Sequence, residues 1–300
     1  MGDFIISLEG TEAGKQLALG LALMAALLHA FFGALQKGRH DPWLSRGAID
    51  FFYGAMAAPF ALFVVPWPTA EMIPLFIVVW AIHVVYKLCQ AFTYTLGSYT
   101  VVYPVVRGTG PLFTVFGAGL IFGEHFTWVQ WGGVALLVGA IYGLALYNLK
   151  HWQVGRDKLK PALAMAVLTG LCVAAYTTID AYGIRSTPDP FTFLAWFFMI
   201  DGLTFPIVAA VRYARMEDKP TLGPLALRGI IGAFTAPLSF GAIMLATRLD
   251  DVGEAAVLRE TSTVFAALIG WLVLGEKVGP RRLILMALIA LGAVIVEAGG

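Results

Sequence analysis

Apolar runs of about twenty residues follow one another along nearly the whole 300-residue chain, each long enough to cross a hydrocarbon core as a helix. That feature leaves few folds open. Inside lipid, backbone amides and carbonyls find partners only within a helix or a closed barrel, and the alternating residues of barrel strands do not occur here. Composition agrees: 59% of residues are hydrophobic and 13% charged, where water-soluble domains carry about a quarter charged. The sequence therefore specifies an all-α polytopic membrane protein without room for a soluble domain.

Cutting the runs at proline, glycine and charge clusters gives ten expected transmembrane helices. They cover 16–36, 49–65, 74–95, 99–121, 128–147, 161–182, 191–211, 224–246, 253–274 and 282–298. Residues 1–15 are expected outside the membrane, and a basic linker, 149–160, parts helices 1–5 (16–148) from helices 6–10 (161–300). Lysine and arginine orient the set. Thirteen, among them Lys37, Arg46, Lys150, Arg212 and Arg282, fall in the loops after helices 1, 5, 7 and 9, against Lys15, Arg185 and Arg248 on the other side. Both termini are thus expected outside the cytoplasm.

The acids of "MGDFIISLEGTEAGK" do not suit a secretory signal, so the first apolar run is expected to stay as a span. A net charge of +1 gives no pull toward polyanions, and no nucleic-acid partner is expected. Cys89 and Cys172 lie singly in apolar runs and read as small packing residues. No metal or cofactor is expected.

The stretch "VVRGTGPLFTVFGAGLIFGE" returns as "VLRETSTVFAALIGWLVLGE", with Arg107 on Arg259, Thr109 on Thr261, Phe113 on Phe265 and Gly123–Glu124 on Gly275–Glu276. Upstream, after a small change of offset, Asp41–Pro42 meets Asp189–Pro190 and Pro59 meets Pro206. Chance in apolar sequence yields scattered Leu, Val and Ala matches, not an Arg, a Thr and a Gly-Glu in one register. One five-helix unit occurs twice. Five is odd, so the second unit enters the membrane from the opposite face. Transporters use such inverted repeats to hold a midplane site between two halves that alternate access.

A charge at mid-bilayer costs about 2.5–3.5 kcal/mol even on the lenient insertion scale, so it faces a cavity or a partner. On helix 4, Thr100, Tyr103, Arg107 and Thr114 share a face by three-to-four spacing. Pro104 and Pro111 each withdraw an amide and free a carbonyl one turn back. Arg259 holds the equivalent place in helix 9, beside Glu260 and close to Ser262. Arg107 and Arg259 are expected to attract an anionic group such as a carboxylate, which the planar guanidinium fork suits. The competing reading is a structural ion pair with Glu260, Asp180 or Asp201.

Tyr103, Gln90, Thr114, Ser262 and Tyr176 are the candidate hydrogen-bonding groups around that substrate. Lys87 in helix 3, with His83 one turn earlier, is expected to pair with Asp180 or Asp201, and such pairs can exchange protons when water enters. Asp180 falls near the expected end of helix 6, which weakens it as a coupling group. Glu260 and His29 complete the candidate coupling set. Glu124 and Glu276 are expected to cap the helices that follow them.

The segments "HAFFGALQK", "VYPVVRGTGPLF", "AAYTTIDAYGIR" and "LRETSTVFAALIGWLVLGE" sit in paired five-helix units, each with a Gly-Glu after its fourth helix. In this the chain resembles the EamA family of the drug/metabolite transporter superfamily, in its ten-helix bacterial form, over roughly residues 16–298. One departure is plain: where the helix-1 pattern commonly reads Trp-Asn, this chain has Phe32 and Gly33, so no substrate contact by that Asn carries over.

The resemblance implies a secondary transporter of the bacterial inner membrane, monomeric or homodimeric. Its cargo would be a small polar metabolite such as an amino acid or other carboxylate, exported by alternating access through a site between helices 3, 4, 8 and 9. Proton coupling, uncoupled transport and exchange all stand open. An enzyme acting on lipid-linked substrates would need an intramembrane His-Glu-x-x-His, Gly-x-Ser-x-Gly or group of aspartates; none occurs, and Asp250–Asp251 falls in a short expected outer loop without a partner motif. A non-transporting subunit would have no use for polar residues mirrored in both halves.

Overall fold

A computed structural model describes residues 2–36, 41–97, 99–150, 158–272 and 279–300, and the elements among them are helices. The first six are α1 (Gly2–Leu8), α2 (Glu12–Gln36), α3 (Pro42–Phe63), α4 (Ile73–Leu96), α5 (Tyr99–Phe122) and α6 (Trp128–Lys150). The rest are α7 (Leu159–Ser186), α8 (Pro190–Ala214), α9 (Leu222–Leu249), α10 (Val252–Arg259), α11 (Ser262–Leu272) and α12 (Pro280–Ala298). Seven, α2 and α4 to α9, are long and apolar enough to cross a membrane. The chain is an integral membrane protein. Of the other helices, α3 carries Arg46 and Asp50, and α12 carries Arg281, Arg282 and Glu297.

Three elements differ from the sequence-based expectation. The helix expected from 49 starts at Pro42, because Asp41 caps it: its carboxylate accepts from the amides of Trp43 at 2.9 Å and Leu44 at 3.1 Å. An aspartate cap followed by proline at the first helical position is a strong start signal. Asp189–Pro190 begins α8 the same way, with Thr192 N 3.0 Å from the carboxylate. Arg46, expected in a loop, therefore lies inside α3.

The helix expected over 253–274 is broken. α10 ends at Arg259 and α11 begins at Ser262, and between them the amides of Glu260 and Thr261 bond three residues back, at 3.0 and 3.1 Å. This is a 3₁₀ turn. The run Glu-Thr-Ser-Thr favours it, since hydroxyls compete for backbone groups; Thr261 Oγ1 donates to the Leu258 carbonyl at 2.7 Å. Finally, part of the segment 1–15 is itself helical, as α1.

Helix pairing follows a regular scheme. α3 packs on α8, α2 on α9, α4 on α7, α5 on α7, and α6 on α12, while α10 lies against α2 and α5. Lipid tails are as apolar as leucine, so association depends on close packing rather than on escape from water. The crossing of α6 and α12 meets that need at Gly133 and Gly292, where a Cβ on either would come within 2.8 Å of the other's carbonyl oxygen.

Glu124, just beyond α5, was expected to cap α6. It caps α10 instead, accepting from the amides of Val252 at 2.8 Å and Gly253 at 3.0 Å. Burial pushes its carboxyl above the ordinary glutamate range, against the lowering effect of those two amides. Glu276, its repeat mate, lies outside the described residues.

Candidate functional site

The charges on α3, α4 and α8 form one buried cluster. Capping at Asp41 places Arg46 and Asp50 one turn apart on one face of α3, with Arg46 Nε 2.8 Å from Asp50 Oδ1. Lys87 of α4, 1% exposed, sends its ammonium to Asp50 Oδ2 at 2.6 Å and Asp201 Oδ1 at 2.7 Å. It also reaches the Asp201 carbonyl at 2.8 Å and the Tyr53 hydroxyl at 3.1 Å. Tyr53 donates in turn to Asp201 Oδ2. Two cations thus face two carboxylates, the arrangement that makes buried charge tolerable.

His83, one turn before Lys87, lies between two acids. Its Nε2 is 2.9 Å from Asp180 Oδ2 and its Nδ1 3.7 Å from Asp201 Oδ1. Of the two expected partners, Lys87 takes Asp201, and Asp180 goes to His83. Asp180 was expected near a helix end; α7 runs on to Ser186, so it sits buried within the helix.

The second cluster surrounds Arg107. α5 remains a continuous helix through Pro104 and Pro111. Arg107 Nη2 donates to Ser262 Oγ at 2.9 Å and to the Arg259 carbonyl at 3.2 Å, and its Nε lies 2.7 Å from Glu260 Oε2. The guanidinium also lies over the Tyr103 ring, 5.9 Å from its centroid. The break between α10 and α11 leaves the Arg259 carbonyl without its helical amide, and Arg107 supplies a donor.

Between the two clusters lies a cavity of about 50 Å³. At roughly 10–15 Å³ per water on this measure, it has room for about three to five. Arg107, Tyr103, Tyr94 and His29 line it together with Arg46, Tyr53, His83 and Asp201, and Tyr86, Gln90, Tyr176, Phe197, Phe198, Ser239 and Phe240 complete the wall. The aromatic wall is continuous: Tyr176 packs on Tyr86 at 4.7 Å and on His83 at 4.8 Å between centroids. Gln90 donates to the Tyr86 hydroxyl at 2.6 Å. A wider cleft of about 800 Å³ lies between the α3–α4 connection and the α7–α8 turn, reaching Ile179 and Tyr182 on either side of Asp180.

Six of the expected residues line the cavity: Arg107, Tyr103, Gln90, Tyr176, Asp201 and His29. Arg259, Glu260 and Ser262 stand behind Arg107, and Lys87 and Asp180 behind Asp201 and His83, all outside the cavity wall. Thr114 is turned away, its hydroxyl donating to the Gly110 carbonyl of its own helix at 3.0 Å. The wall comes from α2, α3, α4, α5, α7, α8 and α9, a broader set than the four helices expected, and the described residues of the broken helix are not part of it. Asp50, Arg46 and Tyr53 were missed as site residues. The Asp41–Pro42 start could have found the first two, because it sets them four apart inside a helix.

The sequence model of the EamA-like transporter family matches residues 160–297. Residues 160–297 thus belong to the EamA-like transporter family. The matched stretch holds α7 to α12, save for the first residue of α7 and the last of α12, and so includes Asp180, Asp201, Glu260 and the broken helix. A solved structure titled only "Crystal structure of protein" is similar over 95% of this chain and 98% of its own, with a TM-score of 0.75 and 17% identity. At that identity the likeness concerns the fold. No curated protein matches the EamA chain.

Proposed function

We propose that this EamA protein is a secondary transporter that carries a small, carboxylate-bearing polar metabolite by alternating access. The reading rests above all on one observation: a single cavity, walled by both halves of the chain, is lined both by Arg107 and by Arg46, His83 and Asp201 of the other cluster. A carboxylate on Arg107 would find a planar fork already desolvated, and the aromatic wall would cover the remainder of a small molecule. Amino acids and other small carboxylates fit that chemistry. The export direction and the bacterial inner membrane come from the family resemblance alone.

The reading takes the chain as ten spans in two inverted five-helix repeats, 16–148 and 161–300, joined by the linker 149–160. Helix pairing supports this. Exchanging the repeats turns α2 on α9 into α7 on α4, turns α5 on α7 into the broken helix on α2, and maps α3 on α8 and α6 on α12 onto themselves. Rocking of one half against the other would open the cavity to each side in turn, with the wide cleft beside Asp180 as the outer approach. No catalytic role is assigned to any residue.

The test is flux. Proteoliposomes loaded with a mixture of amino acids and small carboxylates should release members of it faster than empty liposomes, read by mass spectrometry. Arg107→Gln should slow release by about tenfold or more, as expected for losing a charge-assisted hydrogen bond of about 1.5–3 kcal/mol. Release no faster than from empty liposomes, or a wild-type rate in Arg107→Gln, would reject the proposal.

A further inference from the structure

Arg107 and Glu260 are poorly matched. Their atoms approach to 2.7 Å, yet the Nε–H is not aimed at the oxygen, and neither carboxylate oxygen of Glu260 accepts an aligned hydrogen bond among the described residues. Glu260 is fully buried. It keeps its Coulomb attraction but lacks the hydrogen bonds that offset removal of a carboxylate from water. Arg107, by contrast, has Ser262 and the Arg259 carbonyl as partners and faces the cavity. All three contacts tie Arg107 to the turn that breaks the helix between α10 and α11.

We propose that Glu260 is a placeholder: the carboxylate of the substrate displaces it from Arg107 and thereby loosens the α10–α11 turn. This rests on the carrier reading above and says how occupancy of the cavity reaches the broken helix. A carboxylate arriving from the cavity can align with the guanidinium fork where Glu260 does not. Two carboxylates on one guanidinium repel one another, so the misaligned one gives way. The coupling is reciprocal: whatever weakens the hold of Glu260 tightens anion binding, and binding frees the turn.

Acetate is the probe, because a group of four heavy atoms suits a cavity with room for about three to five waters. Acetate is titrated into the detergent-purified full-length protein, with thermal stabilisation giving Kd and hydrogen exchange following the amides of 258–264. Glu260→Gln is expected to bind acetate about fivefold or more tightly than wild type, the lower range of site-to-site coupling. Glu260→Asp, which keeps the charge, should stay near wild type, and Arg107→Gln should not respond. If Arg107→Gln does not fold, Arg107→Lys, a point charge without the fork, should bind severalfold more weakly than wild type.

Acetate should speed exchange at the turn in wild type. In Glu260→Gln exchange should be fast without acetate and unchanged by it. A purely structural pair would loosen the turn on mutation with no gain in affinity, and that result overturns the proposal. So does acetate binding that survives loss of the Arg107 fork, or no acetate response in any variant. Metabolite flux that depends on Arg107, alongside such a failure, would leave the carrier reading standing.

Discussion

Gly54 of α3 and Gly202 of α8 meet backbone to backbone, so closely that a Cβ on Gly202 would lie 2.6 Å from the Gly54 Cα. The contact lies beside Tyr53 and Asp201, whose side chains share a hydrogen bond, and therefore sets the distance across which Lys87 bridges Asp50 and Asp201. Backbone cannot yield as a flexible side chain can. Gly202→Ala should cost about 1–3 kcal/mol, as overpacking does, and lower the unfolding temperature in detergent. A variant as stable as wild type would mean that the two helices cross less closely than described.

Lys87 is the centre of the first cluster, and its removal leaves two buried carboxylates short of a cation. Lys87→Met should destabilise by about 3–5 kcal/mol, the usual result of breaking a buried pair from one side. Asp50→Asn added to it should restore part of the loss, because the neutral amide no longer needs the ammonium. A double-mutant cycle read by thermal unfolding measures the coupling. Additive losses would show that the 2.6 Å contact between Lys87 and Asp50 carries no energy of its own.

Seven helices long and apolar enough to span were legible because hydropathy is a property of the chain read locally, and a bilayer permits little besides helices. The partners were not. Sequence places Lys87, Asp180 and Asp201 in helices, but which acid meets the ammonium depends on helix packing that spacing does not encode. Asp50 falls inside the helix expected from 49, but its partner Arg46 falls outside it, because a start at the hydrophobic run ignores the earlier signal of Asp41–Pro42. The break at Glu260 was hidden because Glu-Thr-Ser-Thr favours a turn without forbidding a helix, and the donor that completes the turn, Arg107 on the Arg259 carbonyl, comes from another helix.

Glu124 offers a stability change that depends on pH and lies outside the spanning segments. Its carboxyl is raised by burial, so the folded state holds that proton more tightly than the unfolded chain does. The group therefore contributes stability that is full below the ordinary glutamate pKa and is lost as pH rises through the folded value. Glu124→Gln removes this dependence while keeping an acceptor for the α10 amides. The unfolding temperature of wild type minus that of Glu124→Gln should fall as pH is raised from about 4 to 7. A difference that rises instead would mean that the two amides outweigh burial.

Arg185 and Arg248 bear on orientation, because they are two of the three basic residues on the face assigned to the outside. Arg185 donates to the carbonyls of Thr247 at 2.6 Å and Asp250 at 2.7 Å, and Arg248 to those of Ile184 and of Thr187 at 2.6 Å. Each ties the last turn of one helix, α7 or α9, to the other, where carbonyls lack helical amides. Their positions follow from helix ends rather than from topology signals. Moving Arg46 into α3 changes the count from thirteen to twelve against three, which leaves the bias intact. A tag on either terminus should be reached by an impermeant reagent in intact cells or spheroplasts. Arg248→Met should lower stability by about 1.5–3 kcal/mol, as for a hydrogen bond to a charged group, and leave that accessibility unchanged. Tags reached only after the membrane is permeabilised would reverse the assignment, and with it which face the wide cleft beside Asp180 opens to.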